Sequence, residues 1–251
     1  MTGYTVLLKD TRQPPLAPLA FLSGRLGGRS EAEDFLRHNP AFLGRNLTLE
    51  AAQALAGSAA QEGLDNIIAA EADLPVLPPP LTGSPIKITP ADNGFYADAS
   101  GARNFVPYES VTLIAAGAFD AKLPPVTLQP LKEDVLEGIK KLAGMDVTRQ
   151  TLPAVRETFF RADLLAEQGE LRFLLEPENL DFSGLGRARE PSSFINFRTL
   201  LDLLSRSAFK AVKNHFLEAF LGGKPLAPFK LASARACETE TARLLLLSKH
   251  A

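Results

Sequence analysis

Cysteine is nearly missing from this chain: Cys237 is the only one in 251 residues. No disulfide can form within it, which fits a reducing compartment, and every metal-site pattern built on paired cysteines is ruled out. Histidine is scarce too. His38, His215 and His250 lie far apart, and neither an HExxH pair nor an acidic calcium loop occurs, so no metal and no other cofactor is expected. Long apolar runs are also lacking. Stretches such as Leu244 to Leu247 fall far short of the ~20 residues that cross a bilayer. The first residues have neither the basic start nor the apolar core of a secretory leader. A cytoplasmic protein with no membrane span is the expectation.

A global excess of positive charge is absent as well. The 27 Lys and Arg stand against 29 Asp and Glu, net −2, so nothing draws the whole chain to nucleic acid. The charge is unevenly spread, however. From Arg187 to the end, 11 basic residues face 5 acidic ones, net +6, which leaves 16 against 24, net −8, for residues 1–186. Such a basic portion docks on the acidic body, lies in solvent, or steers an anionic partner.

What the chain does have is core-forming material. Hydrophobic residues make up 45%, enough at this length for one large domain or two smaller ones. The densest run is Val155 to Ala208. Val155 to Leu165 and Glu170 to Leu175 read as strands around a Gln168-Gly169 turn, and Ser192 to Ala208 reads as a helix started by Pro191 and Ser192 or Ser193. Phe194, Phe197, Leu201, Leu204 and Ala208 follow at helical steps and are expected to form one buried stripe across a sheet.

In chain order, Tyr4 to Leu8 reads as a strand. Leu19 to Leu26 reads as a short helix closed by Gly27-Gly28, a second helix starts at Ser30 and stops at Asn39-Pro40, and Phe42 to Leu47 is extended. Thr48 caps a third helix running to Glu62 with Gly63 as terminator, and Leu64 to Glu71 is a closing strand. Several residues in that order carry a resemblance: Thr5-Val6-Leu7-Leu8-Lys9, Glu31-Ala32, Asn39-Pro40-Ala41 with Leu43, Glu50-Ala51, Ala54-Leu55 and Glu62-Gly63. Together, residues 4–71 resemble the C-terminal domain of the bacterial ribosomal stalk protein. The resemblance implies that fold, and it implies contact with translation factors near the first helix and its glycine turn. Here Leu16 to Gly28 offers only Arg25 as a basic residue, so a reused interaction or packing module is the expectation.

Pro75, Pro78, Pro79, Pro80 and Pro85 make Pro75 to Pro85 a stiff connector. Three parts are therefore expected: residues 1–74, a linker over 75–85, and residues 86–251. The third part opens with short strands at Ile86–Thr89, Phe95–Asp98, Arg103–Val106 and Val111–Ala116, turned by Asn93-Gly94 and Ser100-Gly101. A helix over Leu131 to Leu142 follows, using Val135, Leu136, Ile139 and Leu142. With the Val155–Leu175 strands this predicts about six strands backed by the Ser192–Ala208 helix. In element order that resembles a pleckstrin-homology-like split barrel, interrupted by Phe119 to Thr151. Beyond it, Phe209 to Leu221 reads as another helix, Phe229 to Cys237 as extended, and Glu240 to Leu247 as a helix or strand. The fold class is α+β: a small split β-α-β type N-terminal domain, then a larger antiparallel sheet domain covered by C-terminal helices.

Catalytic motifs do not emerge. Neither GxxxxGK[ST] nor the GxSxG elbow occurs, and Cys237 shows no helix start that would activate it. The most suggestive polar segment is Asp181 to Arg189. Its Gly184, Gly186, Arg187 and Arg189, with Ser192 and Ser193 at the following helix start and Lys210 and Lys213 beyond it, have the chemistry of an anion site. A tight strand-to-helix connection accounts for the same residues. Phe159, Phe160, Arg161, Arg172 and Phe173 mix aromatic and basic character, but strand alternation sends some of these rings into a core, and no nucleic-acid partner is expected. The expected function is a non-enzymatic adaptor that binds a protein partner. Peripheral contact with an anionic lipid or phospho-ligand through Arg187, Arg189 and Lys210 or Lys213 is the alternative. A second alternative is an enzyme whose carboxylates are scattered along the chain.

Overall fold

Tyr4–Leu8 (β1) buries Thr5, Val6, Leu7 and Leu8 in succession, because it is the middle strand of an antiparallel sheet with order β2-β1-β3 and both its faces are covered. The computed structural model describes residues 3–9, 16–81, 85–99, 101–122 and 156–249. Its element order begins β1, α1 (Leu16–Ser23), α2 (Arg29–His38), β2 (Phe42–Leu47), α3 (Leu49–Gln61) and β3 (Asn66–Ala70). That is the strand and helix order expected for this stretch. Thr48 caps α3 by accepting from the Ala51 N–H at 3.2 Å, and Gly63 follows it at φ +78°. Val6, Leu8, Phe21, Leu22, Ala32, Leu43, Ala52 and Ala59 form the core of this part.

The class is α+β, as expected. The strands after residue 85 are divided between two four-stranded sheets instead of forming one sheet of six. β4 (Ile86–Pro90), β5 (Gly94–Ala99) and β6 (Ala102–Pro107) make an antiparallel meander, and β10 (Leu180–Asp181) joins it parallel to β4. The second sheet has order β11-β7-β8-β9, from β7 (Val111–Lys122), β8 (Arg156–Ala166), β9 (Leu171–Leu175) and the two-residue β11 (Val212–Lys213), which pairs parallel to β7. Leu81 donates its N–H to Arg172 O at 2.8 Å and bridges to Phe173, so the proline-rich stretch lies beside β9 at this residue.

Residues 1–119 with 160–251 form one compact unit and residues 120–159 another. In the second unit, Thr158 Oγ1 donates to Asp120 Oδ1 at 2.7 Å. The helix expected over Leu131 to Leu142 lies outside the described residues.

Within the first unit, the β7–β8 region is covered on both faces. Ile114 and Leu164 belong to a large core with Phe95, Phe173, Phe197, Leu201, Leu204 and Phe220. Leu113, Ala115 and Leu165, pointing the other way, pack with Leu244 and Leu245. These last two lie on α6 (Ala234–Ser248), which settles the choice between helix and strand there and replaces part of the extended segment expected before it. α6 also reaches β1: Leu246 packs with Leu7 and Phe42, and Arg243 Nη1 donates to Leu8 O at 2.8 Å. The helix expected over Phe209 to Leu221 is shorter, α5 (His215–Leu221). Asn214 explains the late start. Its Oδ1 accepts from Leu217 N–H and Ala116 N–H while its Nδ2 donates to Ala116 O, which caps α5 and pins the preceding residues beside β7.

Candidate functional site

The helix α4 (Ser193–Ser207) is capped by Ser192, whose Oγ accepts from Ile195 N–H at 3.4 Å. The segment leading into it is held by a two-point clasp. Asn196 Oδ1 accepts from Glu190 N–H and its Nδ2 donates to Glu190 O, both at 2.7 Å. Upstream, Phe182–Ala188 winds as 3₁₀ turns against β4. Gly184 lies so close there that a Cβ would stand 2.0 Å from Ile88 O, so glycine serves close packing at this position. The carboxyl of Asp181 accepts from the Ser183 N–H and hydroxyl, each at 2.8 Å, which holds it below the usual carboxylate range, with Lys87 and Arg189 adding to the effect.

On this anchored start, α4 presents two large apolar side chains to solvent. Phe194 is 41% exposed and Ile195 50%. Phe194 therefore lies outside the buried stripe to which its spacing assigned it; Phe197, Leu200, Leu201 and Leu204 form that stripe. Beneath it is an aromatic floor. The Phe194 ring meets Phe160 edge-on at 5.0 Å and Phe220 at 5.5 Å, and Phe220 in turn meets Phe197 and Phe216, each at 6.2 Å. Arg198, one turn on, donates to Leu221 O at 2.7 Å and ties α4 to the end of α5. The result is an exposed apolar turn on a rigid support.

Of the residues expected to form an anion site, Arg187 and Arg189 lie in the segment that leads into α4, and Ser192 and Ser193 stand at its start. Lys210 and Lys213 do not join them. They follow the far end of a 15-residue helix, about 22 Å away along its axis. Lys213 Nζ donates there to Ala208 O at 3.2 Å and Phe209 O at 3.4 Å, where the helix leaves its last carbonyls. Lys210 lies beside Phe209, which is 74% exposed.

A few other ionisable groups turn inwards. Cys237 is buried, and burial pushes its thiol up to about 12, which keeps it protonated and a poor nucleophile. Arg161, Asp163 and Arg172 are also buried, on the face of β8 and β9 that meets α6. Arg243 forks onto Glu240, with Nε and Nη2 each 2.8 Å from a carboxylate oxygen. Isolated arginines in the sequence carry no sign of such burial; only the partners reveal it. Among the described residues no group of three or more His, Cys, Asp or Glu is arranged to hold a metal ion, and no helix is long and apolar enough to cross a membrane. No protein-family model, curated protein or solved structure matches the chain.

Proposed function

We propose that this chain is a non-enzymatic binding protein that docks a protein partner on the first turn of α4. The observation that supports it most is the exposure of Phe194 and Ile195 on a helix start already fixed by the Asn196 clasp and the phenylalanines below. An aromatic side chain seated on packed rings before binding, with a branched aliphatic side chain next to it, is the type of anchor around which protein interfaces concentrate their affinity. Arg187 and Arg189 precede the turn by a few residues in the chain, so an apolar segment with acidic neighbours suits it. Residues 4–71, which resemble the stalk-protein domain, belong to the same binding protein as an interaction or packing module. Anionic-lipid attachment has less support, because Lys213 caps a helix end and Lys210 lies at the other end of α4 from Arg189.

The test is affinity capture from the native host with the wild-type chain and with the double variant Phe194→Ser, Ile195→Ser. Proteins held by the wild type are expected to bind the variant at least about tenfold more weakly, while the variant still unfolds cooperatively at a melting temperature lowered by loss of the Phe160 and Phe220 ring contacts. Equal recovery by both chains overturns the proposal.

A further inference from the structure

Two guanidinium groups meet beneath the solvent side of α6. Arg161 of β8 and Arg172 of β9 are each only 5% exposed at the side chain, and Asp163, at 1%, lies between them. Asp163 accepts from Arg172 Nε at 2.7 Å, Arg161 Nη2 at 3.3 Å and Thr241 Oγ1 at 3.1 Å. One carboxylate against two guanidiniums leaves a positive charge, and Glu238 of α6 supplies the balancing negative one. Its Oε1 lies 3.2 Å from Arg172 Nη2 and 3.6 Å from Arg161 Nη2.

Glu238 fits this place poorly. A single oxygen serves both guanidiniums, at distances longer than the roughly 2.7–2.9 Å of a good charge-assisted hydrogen bond. Its side chain is 46% exposed while its two partners are almost wholly covered. Arg161 is also left incomplete. The Nε–H and one Nη2–H of a guanidinium point the same way and form a fork for a two-oxygen acceptor. Arg161 Nε is buried with no acceptor among the described residues, so half of that fork is unused. A buried donor without a partner is costly, and no such deficit affects the neighbouring Arg243, whose fork is filled by Glu240.

We propose that Arg161 and Arg172 form a binding site for a compact oxyanion, a phosphate or carboxylate group, in which Glu238 is a displaceable internal occupant. When Glu238 swings into solvent, an oxyanion takes both arms of the Arg161 fork and Arg172 Nη2 together, which Oε1 alone does not. Asp163 stays in place and keeps the two guanidiniums oriented. This site is separate from the α4 turn and does not depend on the function proposed above.

The experiment compares the full wild-type chain with Glu238→Ala and with Glu238→Ala, Arg161→Lys. Affinity is read by calorimetric titration of inorganic phosphate and, separately, of acetate, at matched ionic strength. Glu238→Ala is expected to bind one of the two anions at least about tenfold more tightly than the wild type, and the anion preferred identifies the ligand group. The lysine, which keeps the charge but lacks the fork, is expected to remove most of that gain. If Glu238→Ala does not fold, Glu238→Gln, which keeps the shape and removes the charge, takes its place. Phosphate and acetate affinities unchanged by loss of the Glu238 carboxylate overturn the proposal, and so does a gain that survives Arg161→Lys.

Discussion

Glu71 shows how single residues secure the N-terminal sheet. Burial raises its pKa, but Arg45 Nε and Nη2 donate to its two oxygens at 3.1 and 2.6 Å and the Asn46 N–H adds a third bond at 3.0 Å, so its carboxyl titrates below the usual range. A depressed folded pKa means that the unfolded chain binds more protons in acid. The stabilisation is therefore complete above the ordinary glutamate value of about 4.3 and is lost as the pH falls through the folded value. Glu71→Gln is expected to cost about 1–3 kcal/mol at pH 7 and to flatten the acid limb of stability. Urea unfolding at neutral and acid pH measures both; an acid limb as steep as the wild type's contradicts the assignment. Residues 45 and 71 are distant in sequence, and no local pattern announces the pair. Phe194 misleads in the opposite way. Helical spacing identifies the face on which a residue lies, but it does not say how much of the side chain the supporting layer covers, and here the rings of Phe160 and Phe220 leave Phe194 41% exposed.

At the level of elements, the most constrained connection is the one from β10 into α4. At Gly184 an added Cβ would meet backbone, Ile88 O at 2.0 Å and Ile88 C at 2.8 Å, and backbone in a paired strand has little freedom to withdraw. Gly184→Ala is expected to destabilise the chain by about 1–3 kcal/mol, read from denaturant midpoints; an unchanged midpoint contradicts this packing. The glycine-rich loop was legible as a strand-to-helix connection, though not the reason for its first glycine. The hairpins were legible too, since Asn93 and Gly101 lie in the turns their dipeptides predict. β10 and β11 were not, because two residues are too few to show a period. Without them, the division of the strands into two sheets has no local signature, and neither does the late start of α5, which Asn214 sets through its bonds to β7.

For the whole chain, α6 is the element whose role sequence could least reveal. Leu244 and Leu245 serve one sheet and Leu246 another, and a helix covered on several sides lacks the single stripe that marks a surface helix. The folded chain leaves large apolar side chains exposed at both ends of α4, Phe194 and Ile195 at its start and Phe209 just beyond its end. Phe194 rests on the rings of Phe160 and Phe220, and it is there that the proposed binding surface lies. A photo-crosslinking phenylalanine analogue placed at position 194 in one chain and at position 209 in another, each irradiated in native lysate, separates binding from mere exposure. The prediction is a discrete protein adduct from position 194 and none from position 209, although 209 is the more accessible site. Equal adducts from both positions, or adducts from 209 alone, would contradict it.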